Sequence, residues 1–194
     1  MRGENDVALK EWAAIEDALA GGRLSVLVRK GGIHEKRGDF EVEHRAFWIF
    51  PTGWHQNEHE LSPAFRAHLG DTPRFAPGEI PLRLHSVVED ALRVESLAAI
   101  EQLGELQPFS AETLRARFEY RGRPYLHVLI VRAYLLPAPK IITNTAGYDG
   151  CVSWVHLDAP VSVGAAQPVL DDDAFARLRA DVLDRLGDES VVRT

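Results

Sequence analysis

The chain has 194 residues, 45% of them hydrophobic and 26% charged, with one cysteine and a formal charge of −7 at pH 7. Such a length and balance give one domain with an ordinary buried core and exclude collagen, coiled-coil and disordered classes, while the lone Cys151 excludes an internal disulfide and any zinc site built on two or four thiolates. No apolar run reaches the roughly 18–20 residues that span a bilayer, and the opening Met1-Arg2-Gly3-Glu4-Asn5-Asp6 is polar, so the expected compartment is the cytoplasm and no membrane partner is expected.

Asn5 or Asp6 can cap a helix whose apolar residues Leu9, Trp12, Ala13, Ile15 and Leu19 recur at helical spacing, with Gly21-Gly22 ending it. Arg23 to Arg29 reads as a strand, broken at Lys30-Gly31-Gly32, and a polar loop follows from about His34 to Asp39. The run Ala46-Phe47-Trp48-Ile49-Phe50, bounded by Pro51-Thr52-Gly53, suits a strand covered on both faces in the middle of a sheet. Ser62 to Leu69 predicts a short helix with Pro63 in its first turn, before a loop around Pro73, Pro77, Gly78 and Pro81. From Leu82 the alternation of Leu82, Leu84, Ser86 and Val88 with Arg83, His85 and Val87 predicts a strand exposed on one face.

Ser96 and Ser110 each stand where a helix cap belongs, the first before Leu97, Ile100 and Leu103, the second before Leu114 and Phe118. Tyr125 to Leu136 is the longest apolar run and favours strand, with Pro137 expected to stop it. Cys151 to Leu157 alternates around Trp154, and an amphipathic helix over roughly Asp171 to Leu186 closes the list. Without βαβ alternation, these elements predict an α+β fold: a mixed or mainly antiparallel sheet with flanking helices in a single domain. Its core spans about 5–160, and the C-terminal helix, about 171–186, packs on it or on a partner. The loop Ala159 to Pro168 is the one candidate boundary.

The acidic total conceals two basic stretches. Arg115 to Lys140 holds six cations (Arg115, Arg117, Arg121, Arg123, Arg132, Lys140) against Glu119 alone, and Arg23 to Arg45 holds six more against four acids. Brought together they would form a positive face for an anionic partner; spread apart they are ordinary solvated arginines.

Arg29-Lys30-Gly31-Gly32-Ile33, Phe50-Pro51-Thr52 and His55-Gln56, followed by Val128-Leu129-Ile130-Val131-Arg132-Ala133-Tyr134 and Gly150-Cys151-Val152-Ser153-Trp154, resemble the signature of the family called domain of unknown function 1802. The resemblance runs from about Leu9 to Leu157 and implies no particular reaction, cofactor or catalytic residue. A second, looser likeness is to small RNA- or nucleotide-binding barrels of the PUA and ASCH kind. Gly22-Arg23 leading into Leu24 to Arg29 has their outline, although Val26 stands where an acidic residue is usual.

Three chemistries compete for the polar residues. Arg29 and Lys30 at a strand end, with Gly31 and Gly32 allowing close backbone approach, suit a phosphate or carboxylate; Arg117, Arg121 and Arg123 would extend that face, and Trp54, His55 and Gln56 would stack on or read a base. This makes a nucleic-acid or nucleotide-like anion-binding module the leading reading, with no cofactor. The alternative is a hydrolase or nuclease using a divalent metal held by Glu41, Glu43, His44 and His55, with Lys30 or Lys36 beside it. His55-Gln56-Asn57-Glu58-His59 also matches the H-x-x-E-H pattern of inverted zinc peptidases, which requires a helix. The third reading is a non-catalytic interaction domain that docks through its last helix. Cys151 with His156 has the residue types of a nucleophile and base, but a strand cysteine beside Trp154 is ordinarily a small buried hydrophobe. His127 and Trp48 fit a core better than a site, and Tyr125 and Trp154 complete the aromatic set.

Overall fold

A computed structural model describes residues 3–30, 42–53, 57–66, 76–150, 152–187 and 191–193. The strands are β1 (Glu4–Trp12), β2 (Val26–Arg29), β3 (Ala46–Thr52), β4 (Glu79–Val94), β5 (Leu126–Thr143), β6 (Trp154–Ser162), β7 (Gln167–Pro168) and β8 (Val191–Arg193). The helices are α1 (Ala13–Ala20), α2 (Pro63–Arg66), α3 (Leu97–Gln102), α4 (Ala111–Glu119) and α5 (Asp172–Leu186). The strands form one open sheet in the order β2-β5-β4-β3-β1-β6, with β7 added beside β5 and β8 beside β4. Every pairing among them is antiparallel except β1 with β3, so the fold is α+β with a mixed, mainly antiparallel sheet.

The central strand β3 is covered on both sides, as its unbroken apolar run implies. Phe47 and Ile49 enter the larger core, with Val7, Leu9 and the helices, while Trp48 and Phe50 enter a second core with Ala8, Leu82, Val155 and Leu157. The Ser96 and Ser110 hydroxyls accept from the Ala99 and Thr113 amides, and the Asp171 carboxylate from Ala174, so three predicted helix starts coincide with real caps. In β4, Leu82, Leu84, Ser86 and Val88 are buried as predicted, but His85 between them is buried as well, at 2% exposure.

Two expectations need correction. The helix foreseen from Asn5 or Asp6 is a strand as far as Trp12, and α1 begins only at Ala13. Val7 to Leu9 satisfy strand and helix periods equally, and the parallel ladder from Ala8↔Trp48 to Trp12↔Thr52 decides for strand. Nor does Pro137 end β5. The β4–β5 register shifts between Leu82↔Lys140 and Leu84↔Leu135, so Pro137 and Pro139 lie in a bulge that demands no amide from them.

The loop Ala159 to Pro168 holds the end of β6 and all of β7, and α5 lays Phe175, Val182 and Leu186 into the main core. Arg179 of α5 grips Asp90 of β4 through Nε at 2.5 Å and Nη2 at 2.9 Å, where Asp90 is 3% exposed and Arg179 38%. Arg179→Met leaves that carboxylate buried without this cation and is expected to cost about 2 kcal/mol, below the usual figure for a broken buried pair because the arginine is half-open to water. Urea unfolding measures it, with limited proteolysis reporting whether α5 loosens first.

Candidate functional site

The ends of β1, β2 and β3 converge. Arg29, last residue of β2 on one edge of the sheet, donates from Nη1 to Glu11 Oε2 at 2.9 Å and from Nη2 to Ser153 Oγ at 2.8 Å. Ser153 directly precedes β6, the other edge, so a single side chain joins the two borders of the open sheet at this end. Lys10, one residue before Glu11, donates to the carbonyls of Tyr148 and of Gly150, the latter at 2.9 Å. Lys10, Glu11, Trp12, Arg29, Phe50 and Thr52 thereby line a cleft of about 510 Å³, to which Arg117 of α4 also contributes.

Arg117 is the wall shared with a second cleft, of about 570 Å³, lined by Lys30, Asn57, His59, Glu60, Thr113 and Tyr120 among others. Its guanidinium lies 3.9 Å from the Phe109 ring centroid and donates to Glu60 Oε2 at 3.3 Å. Burial holds its pKa below the ordinary arginine value; Glu11 and Glu60 oppose that shift, and the charge of Arg29 adds to it.

Lys30 donates to the carbonyls of Phe118 (3.3 Å), Tyr125 (2.8 Å) and Arg123, and lies 4.1 Å from the Tyr125 ring centroid. The two basic stretches therefore meet, with residues 29 and 30 against the segment 117–125. The meeting is partial. Arg115 faces Glu101, Arg132 is paired with Asp172, and Lys140 lines a different cleft, beside β6. Arg121 and Arg123 sit exposed on the turn from α4 to β5, Arg121 in the left-handed region at φ 60° with its guanidinium 5.3 Å from the Tyr120 ring centroid.

Gly31, Gly32, Glu41, Trp54, His55, Gln56 and Cys151 lie outside the described residues, as does Lys36. Of the proposed metal cluster, Glu43 is exposed and His44 packs edge-on against Trp154 and His156, at 5.3 and 5.5 Å between centroids. Among the described residues no three His, Cys, Asp or Glu side chains gather as metal ligands would. The H-x-x-E-H reading loses its helix: Asn57 is extended and caps a single turn, Glu58–Glu60, with Glu58 and His59 both open to water. Tyr125 is buried between Lys30 and Arg93, so it offers no stacking face, and His127 and Trp48 are buried as expected.

Sequence reasoning passes over Lys10, Glu11, Glu60, Phe109 and Tyr120. Lys10 and Glu11 fall within the helix expected from Asn5 or Asp6, and as strand residues they reach the cleft instead. Glu60 and Phe109 carry no local signal at all, because contacts between segments far apart in the chain, the bridge Leu61↔Phe109 among them, bring them together.

These features define an α+β domain whose strand ends gather cations and two buried or half-buried carboxylates around a pair of adjoining clefts. The chain belongs to the family described as Domain of unknown function (DUF1802), whose model matches residues 8–181. Among solved structures it is similar to ASCH from Zymomonas mobilis, with 12% identity and a TM-score of 0.44 over 90% of this chain and 93% of that one. It is similar also to a single-residue mutant of the ZmASCH protein from the same organism, with 11% identity and a TM-score of 0.45 over 93% and 98%. No curated protein matches it. No helix among the described residues is long and apolar enough to cross a membrane.

Proposed function

We propose that the protein binds a phosphate-bearing nucleotide or nucleic acid in the clefts divided by Arg117. One observation carries the reading: Arg29 and Arg117, from basic stretches far apart in the chain, line the same cleft. A phosphate between two guanidinium groups offsets the repulsion between them and accepts charged hydrogen bonds. Lys10 adds a third cation, and Trp12 and Phe50 give the same cleft an apolar wall. The opposing carboxylates Glu11 and Glu60 hold the arginines in position in the absence of an anion.

Anisotropy titration of labelled single-stranded RNA, single-stranded DNA, duplex DNA and transfer RNA at two salt concentrations tests this. Arg117→Met is expected to weaken binding of the preferred probe roughly tenfold or more, the loss of one charged hydrogen bond, and to lower the salt slope by about one ion. An affinity unchanged by Arg117→Met, or no binding of any probe by the unaltered protein, removes the proposal.

A further inference from the structure

Resting on that reading, we infer that the occupant is a single-stranded nucleic-acid segment, with one base stacked on Tyr120 beside the Arg117 wall. Large apolar side chains left open to water are few among the described residues: Tyr120 at 41%, Ile141 at 53% and Val152 at 37%. Two of the three border the paired clefts, Tyr120 on one and Val152 on the other. The Tyr120 ring stands beside the Arg117 wall, and an open aromatic face next to cations is what an unstacked base requires.

The surroundings of Tyr120 fit a platform. It closes α4, where the chain turns through the left-handed Arg121, and the Arg121 guanidinium lies 5.3 Å from its ring centroid. A cation on one face of the ring leaves the other for a base, and the same cation lies within reach of that nucleotide's phosphate.

Both clefts are concave, and about 570 and 510 Å³ falls within the roughly 300–1,000 Å³ range of small-ligand pockets. Each is of a size to take one nucleotide. Consecutive nucleotides of one strand, one on each side of Arg117, would place their linking phosphate at that guanidinium. Base stacking requires bases that are free of a duplex stack.

Glu60 supplies an independent handle, since it engages Arg117 from the Tyr120 side. A phosphate at Arg117 meets repulsion from this carboxylate, so its neutral isostere tightens binding without touching the base platform.

The test is anisotropy binding of three labelled probes of one length, a single-stranded oligonucleotide, the same backbone made abasic, and the duplex, to the unaltered protein, Tyr120→Ala, Tyr120→Trp and Glu60→Gln. The expected result is single strand bound about tenfold tighter than abasic strand and tighter than duplex. Tyr120→Ala then removes the advantage of the bases, Tyr120→Trp keeps it, and Glu60→Gln strengthens both single-stranded probes severalfold. Equal affinity for the base-bearing and abasic strands, preference for the duplex, or an unaltered base advantage in Tyr120→Ala overturns the stacking inference and leaves the anion site standing. Absence of binding by all three probes overturns both.

Discussion

Arg29→Met is expected to lower the free energy of unfolding by about 3 kcal/mol, seen as an earlier urea midpoint with an unchanged slope. Glu11 is 7% exposed and Arg29 14%, so the carboxylate left behind stays in a poorly hydrated cleft with its main counter-ion gone. The substitution also removes the contact from Nη2 to Ser153, and with it the link between the β2 edge and the start of β6. Glu11→Gln added to Arg29→Met is expected to restore more than half of the loss, because an amide tolerates the same burial without an uncompensated charge. A double variant no more stable than Arg29→Met alone would show that the damage comes from the lost link to Ser153 rather than from the orphaned carboxylate. Since Arg29 both closes the fold and lines the cleft, a binding defect in its variants does not separate the two roles, and Arg117 is the better residue for that purpose.

The second large effect is a loss of stability in mild acid that traces to His85. Its ring is 2% exposed and edge-on to Trp48, and its Nε2 lies 3.1 Å from Asn5 Nδ2, which also donates to Ala46 O at 2.8 Å. An amide nitrogen can only donate, so His85 Nε2 accepts and the ring is neutral. Burial lowers its pKa from 6.5 to about 4. Between those values the unfolded chain binds the proton and the native chain does not, so this contribution is complete above pH 6.5 and declines as pH falls toward 4. The loss from this residue at pH 4.5 is about 2.5 kcal/mol. His85→Asn cannot titrate, so the difference in unfolding free energy between variant and unaltered protein is expected to shift by that amount between pH 7 and pH 4.5. A constant difference across the range would mean that His85 titrates as it does in water. Asn5 lies on β1 at its register shift against β6, so acid is expected to loosen this corner first, which amide exchange of residues 5–9 reports.

Where the fold was legible in advance, local chemistry decided it. A serine hydroxyl three residues before a free amide caps a helix wherever the helix lies, and α3 and α4 begin where Ser96 and Ser110 say. The five apolar residues from Ala46 to Phe50 leave no polar face, which suits an inner strand, and they form one. Where it was not legible, two local readings were equal and a distant partner chose between them. Residues 7–9 became strand because β3 offered a parallel ladder, and β5 continued past Pro137 because the register with β4 shifts there.

The candidate site divides the same way. That Arg29 and Lys30 end a strand, and that residues 115–123 are rich in arginine, was readable from residue types alone. Which of these cations share a cleft was not. The sequence by itself determined the class of fold, the helix starts at Ser96, Ser110 and Asp171, the two-sided central strand and the presence of two basic stretches, because each follows from the identity and spacing of near neighbours. The tertiary structure alone decided that Arg29 reaches Glu11 and Ser153, that Lys30 is taken up by carbonyls near Tyr125, that Arg132 is paired elsewhere with Asp172, and that Tyr120 stands open beside Arg117. Charge compensation and exposure depend on distances through space, and those are set only when the ends of the strands are brought together.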